Sequence, residues 1–296
     1  MVRGSVSRVR RVLIVLAVHF VVLASGPASC TAAFEGCLVD SRAEAIGDCW
    51  SVSNFPALSL APLPPTGGGF ALGLSYRRPF GLRDLEEKDI VVNVPLSRCT
   101  GSVGFLERGG GYYRERALSV TMSAAAPRAA PKRPRARLGA AASEPSASLV
   151  SVCVSATVYE VSGDGWRSAR CASLSAGARA SPTSSVAVCV GLGNVASGET
   201  DLGLRQTFLV GVVLRPHQVL TLAAEVRRQP GEMSSFHVGA EMAVSGGAFL
   251  RCGFRTEPTE LTVGFGVALR GLGLDTASSF HPVLGRTDSF SLSLSR

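Results

Sequence analysis

The chain has 296 residues, a formal net charge of +8, 18% charged against 46% hydrophobic residues, and 33 glycines. A mean hydropathy of +0.27 excludes a charge-rich disordered tail and is high for a soluble exported protein. Much of the basic excess lies in the first residues and in one later segment, so the charge gives no reason to expect nucleic-acid binding.

Met1 to about Ser25 carries Arg3, Arg8, Arg10 and Arg11, then the apolar run Val12 to Ala24, with small residues through Ala33. This is the layout of a secretory leader, residues 1–33. Cleavage follows Cys30 or Ala33, and the second gives a mature start at Phe34. A lipid-anchored alternative would acylate Cys30, although Gly26-Pro27-Ala28-Ser29 lacks the usual leucine. No other stretch reaches the roughly 20 apolar residues of a membrane-crossing helix, so a chain that spans a membrane does so as a barrel.

Residues 34–65 do not alternate. Arg42 to Gly47 suits a short helix, and Pro62, Pro64 and Pro65 close a segment that reads as a periplasmic or plug-like piece ahead of a barrel at 66–296. Alternation then recurs in thirteen runs: 69–76, 88–96, 101–107, 113–124, 149–161, 184–193, 206–214, 218–228, 235–244, 248–255, 261–269, 272–280 and 289–295. Single-chain bacterial barrels close with an even number of strands. Trp166 to Ser175 is the best candidate for a fourteenth, and loss of an early run would give twelve. Arg215-Pro216, Pro230-Gly231, Ser245-Gly246-Gly247 and Glu257-Pro258 read as short turns between the last runs. The expected fold is therefore all-β, an up-and-down antiparallel transmembrane barrel of 12 or 14 strands with a short non-barrel N-terminal segment.

The segment 124–148, with Arg128, Lys132, Arg133, Arg135 and Arg137 among prolines, suits a solvated basic loop. Such a loop would meet glycolipid phosphates of the outer leaflet or a partner protein. Counted back from a periplasmic C-terminus, it is extracellular without a strand at 166–175 and periplasmic with one.

Parity assigns the faces. Leu261, Val263, Phe265, Val267 and Leu269 share one side of their run, opposite Thr262, Gly264, Gly266 and Ala268. A charge on the lipid side is costly, about 2 to 4 kcal/mol for a cation at mid-bilayer, which turns Glu225, His237, Glu241, Arg251 and Arg255, and with them Asp275, toward the lumen. There they would pair and fill the interior or line a path. The same parity predicts that Val263→Arg or Phe265→Arg impairs insertion and that Thr262→Arg is milder. Tyr76, Tyr112, Tyr113, Phe249, Phe280 and Phe290 are candidates for a sparse aromatic girdle.

Cys37, Cys49, Cys99, Cys153, Cys171, Cys189 and Cys252 show no paired spacing, so no metal or cofactor is expected; one or two disulfides would suit an oxidising periplasm. Cys153, Cys189 and Cys252 read as small apolar wall residues. His237 and Glu241, four apart on a strand, stand about 13 Å from one another, too far for a catalytic hydrogen bond, and no enzyme is expected.

Two stretches carry a family resemblance. Asp40-Ser-Arg-Ala-Glu-Ala-Ile-Gly-Asp48 with Asn54-Phe-Pro-Ala57 is similar to the "ARxxALGGA … NPA" opening of FadL-like and PorV/PorQ-type outer-membrane proteins. Leu250-Arg-Cys-Gly-Phe254, Leu261-Thr-Val-Gly-Phe-Gly-Val267, Leu274-Asp275, Phe280-His281, Leu284-Gly285 and Ser289-Phe-Ser-Leu-Ser293 resemble the closing strands of that group. Thr276 and Ser278 depart from its aromatic-rich pattern, and Asp48 stands where a small residue follows Gly47. The resemblance implies a barrel of about fourteen strands in the outer membrane of a Gram-negative-type envelope. It further implies passage of a small solute, apolar ones included, or a role in protein export or assembly, with outer-membrane lipid and export-complex proteins as partners. The alternative from another class is a secreted or lipid-anchored β-sandwich that binds a cell-surface partner.

Overall fold

The computed structural model describes residues 40–53, 69–96, 99–126, 150–165, 168–197 and 204–296. The leader, Cys30 and the basic segment with Arg128, Lys132, Arg133, Arg135 and Arg137 lie outside them.

Fourteen antiparallel strands close into one barrel. In chain order they are β1 (Ala71–Arg78), β2 (Glu87–Pro95), β3 (Cys99–Gly109), β4 (Tyr113–Ala126), β5 (Val150–Gly163), β6 (Ala169–Ala180) and β7 (Val186–Ser197). They continue as β8 (Thr207–His217), β9 (Leu220–Arg228), β10 (Ser235–Ser245), β11 (Ala248–Thr256), β12 (Thr259–Leu269), β13 (Leu272–His281) and β14 (Gly285–Ser295). Each strand pairs with its neighbours in sequence, and β1 closes on β14 with Ala71 opposite Ser295 and Arg78 opposite Asp288. The count of twelve and the β-sandwich are both overturned, because a sandwich leaves its two sheets with edges and here none remains.

All thirteen alternating runs are strands, and the fourteenth falls at Ala169–Ala180, overlapping the 166–175 candidate. The turn expected at Arg215-Pro216 is instead part of β8, where the pairing register with β9 shifts between Leu214 and His217. A bulge there accepts a proline, whose missing N–H would otherwise break the ladder. Between β10 and β11 the turn is where it was read: Gly246 and Gly247 both take positive φ, +55° and +86°, as a two-residue hairpin turn of matching twist requires.

The outer face explains the composition. Leu261, Val263, Phe265 and Leu269 on β12 and Leu118, Val120 and Met122 on β4 are large, apolar and exposed. Five outward positions on β12 span about 27 Å along the strand, or about 20 Å across it at a tilt near 40°, close to a lipid-facing band about 25 Å tall. Water would not tolerate so continuous an apolar belt, whereas lipid requires it. Among the described residues no helix is long and apolar enough to cross a membrane; the apolar belt lies on the strands. Toward the rim opposite the chain ends, the outward positions turn polar: Lys88, Glu107, Arg116, Glu160 and Arg170 are successive cross-strand neighbours on β2 to β6. Of the girdle candidates, Phe280 and Phe290 face outward and Tyr112 is exposed at a turn. Tyr113 and Phe249 instead turn into the lumen, because they share parity with Glu115 and Arg251; the Tyr113 hydroxyl donates to Glu115, and Phe249 lies under the Arg251 guanidinium at 5.5 Å.

Candidate functional site in the barrel lumen

Residues 40–53 lie inside the barrel. Asp40 caps a short helix, α1 (Ser41–Ala45), its carboxylate accepting from the Arg42 N–H at 2.9 Å. Its other oxygen accepts from the Ser53 hydroxyl at 2.6 Å, which ties the two ends of the segment together. α1 packs against β11 to β14, and the single 3₁₀ turn at Trp50–Val52 packs against β8 and β9.

The wall is shaped to receive this segment. Gly239 and Gly253, cross-strand partners on β10 and β11, both point inward. A Cβ on Gly239 would stand 2.6 Å from the Ile46 carbonyl carbon, and one on Gly253 would overlap the backbone of Gly47. Only a bare backbone lets the segment approach so closely. Beside them on β12, the Thr262 hydroxyl accepts from the Gly47 N–H at 3.0 Å and donates to the Ala45 carbonyl at 3.2 Å.

Charge then fastens the segment at separate places. Arg42 forks onto Glu241 at 2.8 and 2.7 Å, Arg251 also donates to Glu241 at 2.7 Å, and Arg251 continues to Asp275 at 2.5 Å. Asp48 is paired with Arg227 at 2.9 Å and Arg255 at 3.3 Å, and these arginines also hold Glu225 and Glu260, each at 2.6 Å. Glu44 faces Arg77 at 3.4 Å, and Arg77 and Arg108 share Glu87. Burial works against ionisation of Asp48, yet Arg227 and Arg255 hold its carboxyl down at about 2. Burial prevails at Glu44, whose carboxyl is raised despite Arg77.

The five residues singled out from sequence all lie on the lumen side: Glu225 and His237 are 2% exposed, Glu241 and Arg251 6%, and Arg255 carries the Asp48 and Glu260 pairs. They do not converge on one point. Glu225 accepts from the Ser51 N–H at 2.9 Å, while Glu241 belongs to the Arg42 cluster. His237 Nδ1 lies 2.8 Å from the Gly47 carbonyl, which requires that nitrogen to carry a proton, and Nε2 lies 3.0 Å from the Ser235 hydroxyl. His237 thus fastens the segment and does not reach Glu241. Arg42, Asp48, Arg77 and Arg227 were missed. Arg227 was within reach, since it shares parity with Glu225; the other three stand outside or at the edge of the alternating runs.

On the far wall, Ser119 with Thr157 (2.6 Å) and Thr121 with Ser155 (2.9 Å) form a hydroxyl-lined face on β4 and β5. Cys153 and Cys189 are buried on the inner side, whereas Cys252 is exposed on the outer wall, and the six described cysteines carry no disulfide. No group of His, Cys, Asp or Glu among the described residues is arranged to hold a metal ion.

Beyond the segment, at the rim away from the chain ends, a cavity of about 450 Å³ opens. Asp48, Trp50 and Arg227 lie at its base, with the Arg227 guanidinium 3.6 Å from the centre of the Trp50 ring. Its upper wall includes Phe80, Leu85, Met233 and Pro258 from the connections between strands.

No protein-family model matches the chain, and no curated relative matches it. Among solved structures, the Acinetobacter baumannii outer membrane protein Omp33 aligns over 78% of this chain and 99% of its own, at 9% identity and a TM-score of 0.49. Mutants of Rh. blastica porin align over 77% of this chain and 99% of theirs, at 8% identity and a TM-score of 0.39.

Proposed function

We propose that the chain is a channel protein of the outer membrane in a Gram-negative-type envelope, with residues 40–53 as a movable plug past which a small solute travels. The compartment reading rests on the fold, since closed even-stranded barrels with an apolar outer belt are built in that membrane. The observation that carries the plug reading is the manner of docking. The charged side chains of Arg42, Glu44 and Asp48 each meet opposite charge on the wall. Ion pairs exchange for hydration at little net cost, so these contacts oppose release only weakly, and the resistance comes from Ile46, Trp50 and Val52, which are buried with apolar residues of the wall. Membership of the FadL-like and PorV/PorQ-type group belongs to this proposal; its support is that the Asp40 to Asp48 stretch carrying the resemblance is the one lodged in the lumen.

Fourteen strands place the connection between β4 and β5 at the same rim as the start of β1 and the end of β14. With both ends in the periplasm, the basic residues Arg128 to Arg137 meet an export or assembly partner there, not the glycolipid of the outer leaflet.

A reversible lock tests the channel. A Cβ built on Gly211 lies 3.1 Å from Ser51 Cβ, near the spacing of about 3.8 Å in a disulfide. Ser51→Cys with Gly211→Cys is made in a background with Cys49→Ser and Cys189→Ser, because Cys189 is the cross-strand neighbour of Gly211. In planar bilayers, conductance steps should vanish on oxidation and return with reductant. Equal conductance in both states, with the disulfide verified by mass, would refute the plug.

A further inference from the structure

We infer that the 450 Å³ cavity at the outer rim is a binding site for small zwitterions of the amino-acid and short-peptide class. The inference rests on the channel reading and names the solute class it admits.

The charges deep in the cavity are already engaged. Arg227 and Arg255 share Asp48, and Arg77 and Arg108 share Glu87. Higher in the wall, Arg228 at the end of β9 and Glu257 in the β11–β12 turn are exposed. Among the described residues neither has an ion-pair partner. One uncommitted cation and one uncommitted carboxylate thus border the same cavity, Arg228 from the last position of β9 and Glu257 from the β11–β12 turn. The Arg228 backbone has the outward parity of Val226, and only the length of the side chain brings it to the rim. A carboxylate would go to Arg228 and an ammonium to Glu257. Both would be partly screened by water, which suits a site that must release its ligand.

Other solute classes fit less well. An apolar chain would displace water from this charged lining without returning a hydrogen bond. A neutral sugar cannot stack on Trp50, which is 3% exposed with its ring covered by Arg227, and it leaves both free charges without a counter-charge. A polyanion would meet Glu232, Glu257 and Glu260 as well as the arginines. Only a ligand that carries both signs uses both free groups.

The test is ligand-observed saturation-transfer NMR on the detergent-solubilised full barrel, with dialanine as probe and N-acetylalanine, alaninamide, glucose and octanoate as competitors. Dialanine should bind, and the anion-only and cation-only analogues, glucose and octanoate should each compete about tenfold or more less well, the equivalent of one lost charge contact. Arg228→Ala and Glu257→Ala, both at exposed rim positions, should each weaken dialanine binding by about tenfold while heat-modifiable migration on detergent gels is kept. Binding of glucose or octanoate as tight as that of dialanine overturns the assignment, as does absence of dialanine binding to a barrel that conducts; the channel reading survives either result. Dialanine binding to a barrel that never conducts refutes the channel and leaves the site.

Discussion

Asp48 and Arg227 meet at 2.9 Å inside the barrel, joining a residue of the N-terminal segment to one 179 positions later on β9. Because Arg227 also holds Glu225 and stacks on Trp50, the contact links plug, wall and cavity base. The Asp48 carboxyl is lowered from 3.8 to about 2 in the docked state. Its contribution to docking is therefore fully present above pH 4 and is lost as the pH falls through about 2. Glu44 acts in the opposite sense: raised by burial, it favours docking when protonated, so its contribution weakens as the pH rises. Bilayer conductance of the unmodified protein should rise between pH 4 and pH 2 to the extent that Asp48 outweighs Glu44. Asp48→Asn should raise conductance already at pH 7 and reduce that acid-induced rise. At the same pH, Cys49, fully buried beside Asp48, should react with maleimide on the order of ten times faster in the variant, as expected from loss of one charge-assisted contact worth about 1.5 kcal/mol or more. An unchanged Cys49 rate would show that Asp48 does not hold the plug.

The wall was readable because lipid and lumen impose opposite demands on alternate residues, and thirteen segments satisfy both plainly. The fourteenth, β6, was harder to see because its outward residues are Ala172, Leu174, Ala176 and Ala178, which give alternation little amplitude against Cys171, Ser173 and Ser175. The inward turn of Glu225, Glu241 and Arg251 followed from the cost of a charge in lipid. Their partners did not, because pairs such as Arg42 with Glu241 are set by the closed barrel and by where a non-periodic segment comes to rest within it. The glycine seat was invisible for the same reason. Gly239 and Gly253 are ordinary strand glycines until Ile46 and Gly47 are placed against them.

The strand count decides which side of the membrane carries the basic connection between β4 and β5. An epitope inserted after Gly139, within that connection, should stay hidden from antibody on intact cells and become accessible once the outer membrane is permeabilised. An epitope in the β9–β10 connection after Glu232 should be accessible on intact cells. Surface labelling of the first site without permeabilisation would reverse the orientation of the barrel and place the cavity in the periplasm.

Neighbouring positions on β12 separate insertion from docking. Val263 and Phe265 are exposed on the outer face, 41% and 46%, and an arginine at mid-bilayer depth costs about 2 to 4 kcal/mol. Val263→Arg and Phe265→Arg should therefore lower the heat-modifiable fraction in the membrane severalfold. Thr262 is 1% exposed and bonded to Gly47 and Ala45, so Thr262→Arg, mild for insertion as parity predicts, is not mild for docking. Its side chain points into the lumen, where insertion does not feel it, but it occupies the place of α1. The expected result is a barrel that inserts normally, conducts without reductant or acid, and exposes Cys49 to maleimide. If Thr262→Arg instead fails to insert like Val263→Arg, the two faces of β12 are wrongly assigned. If it inserts and stays closed, the plug is held by contacts other than the seat formed by Gly239, Gly253 and Thr262.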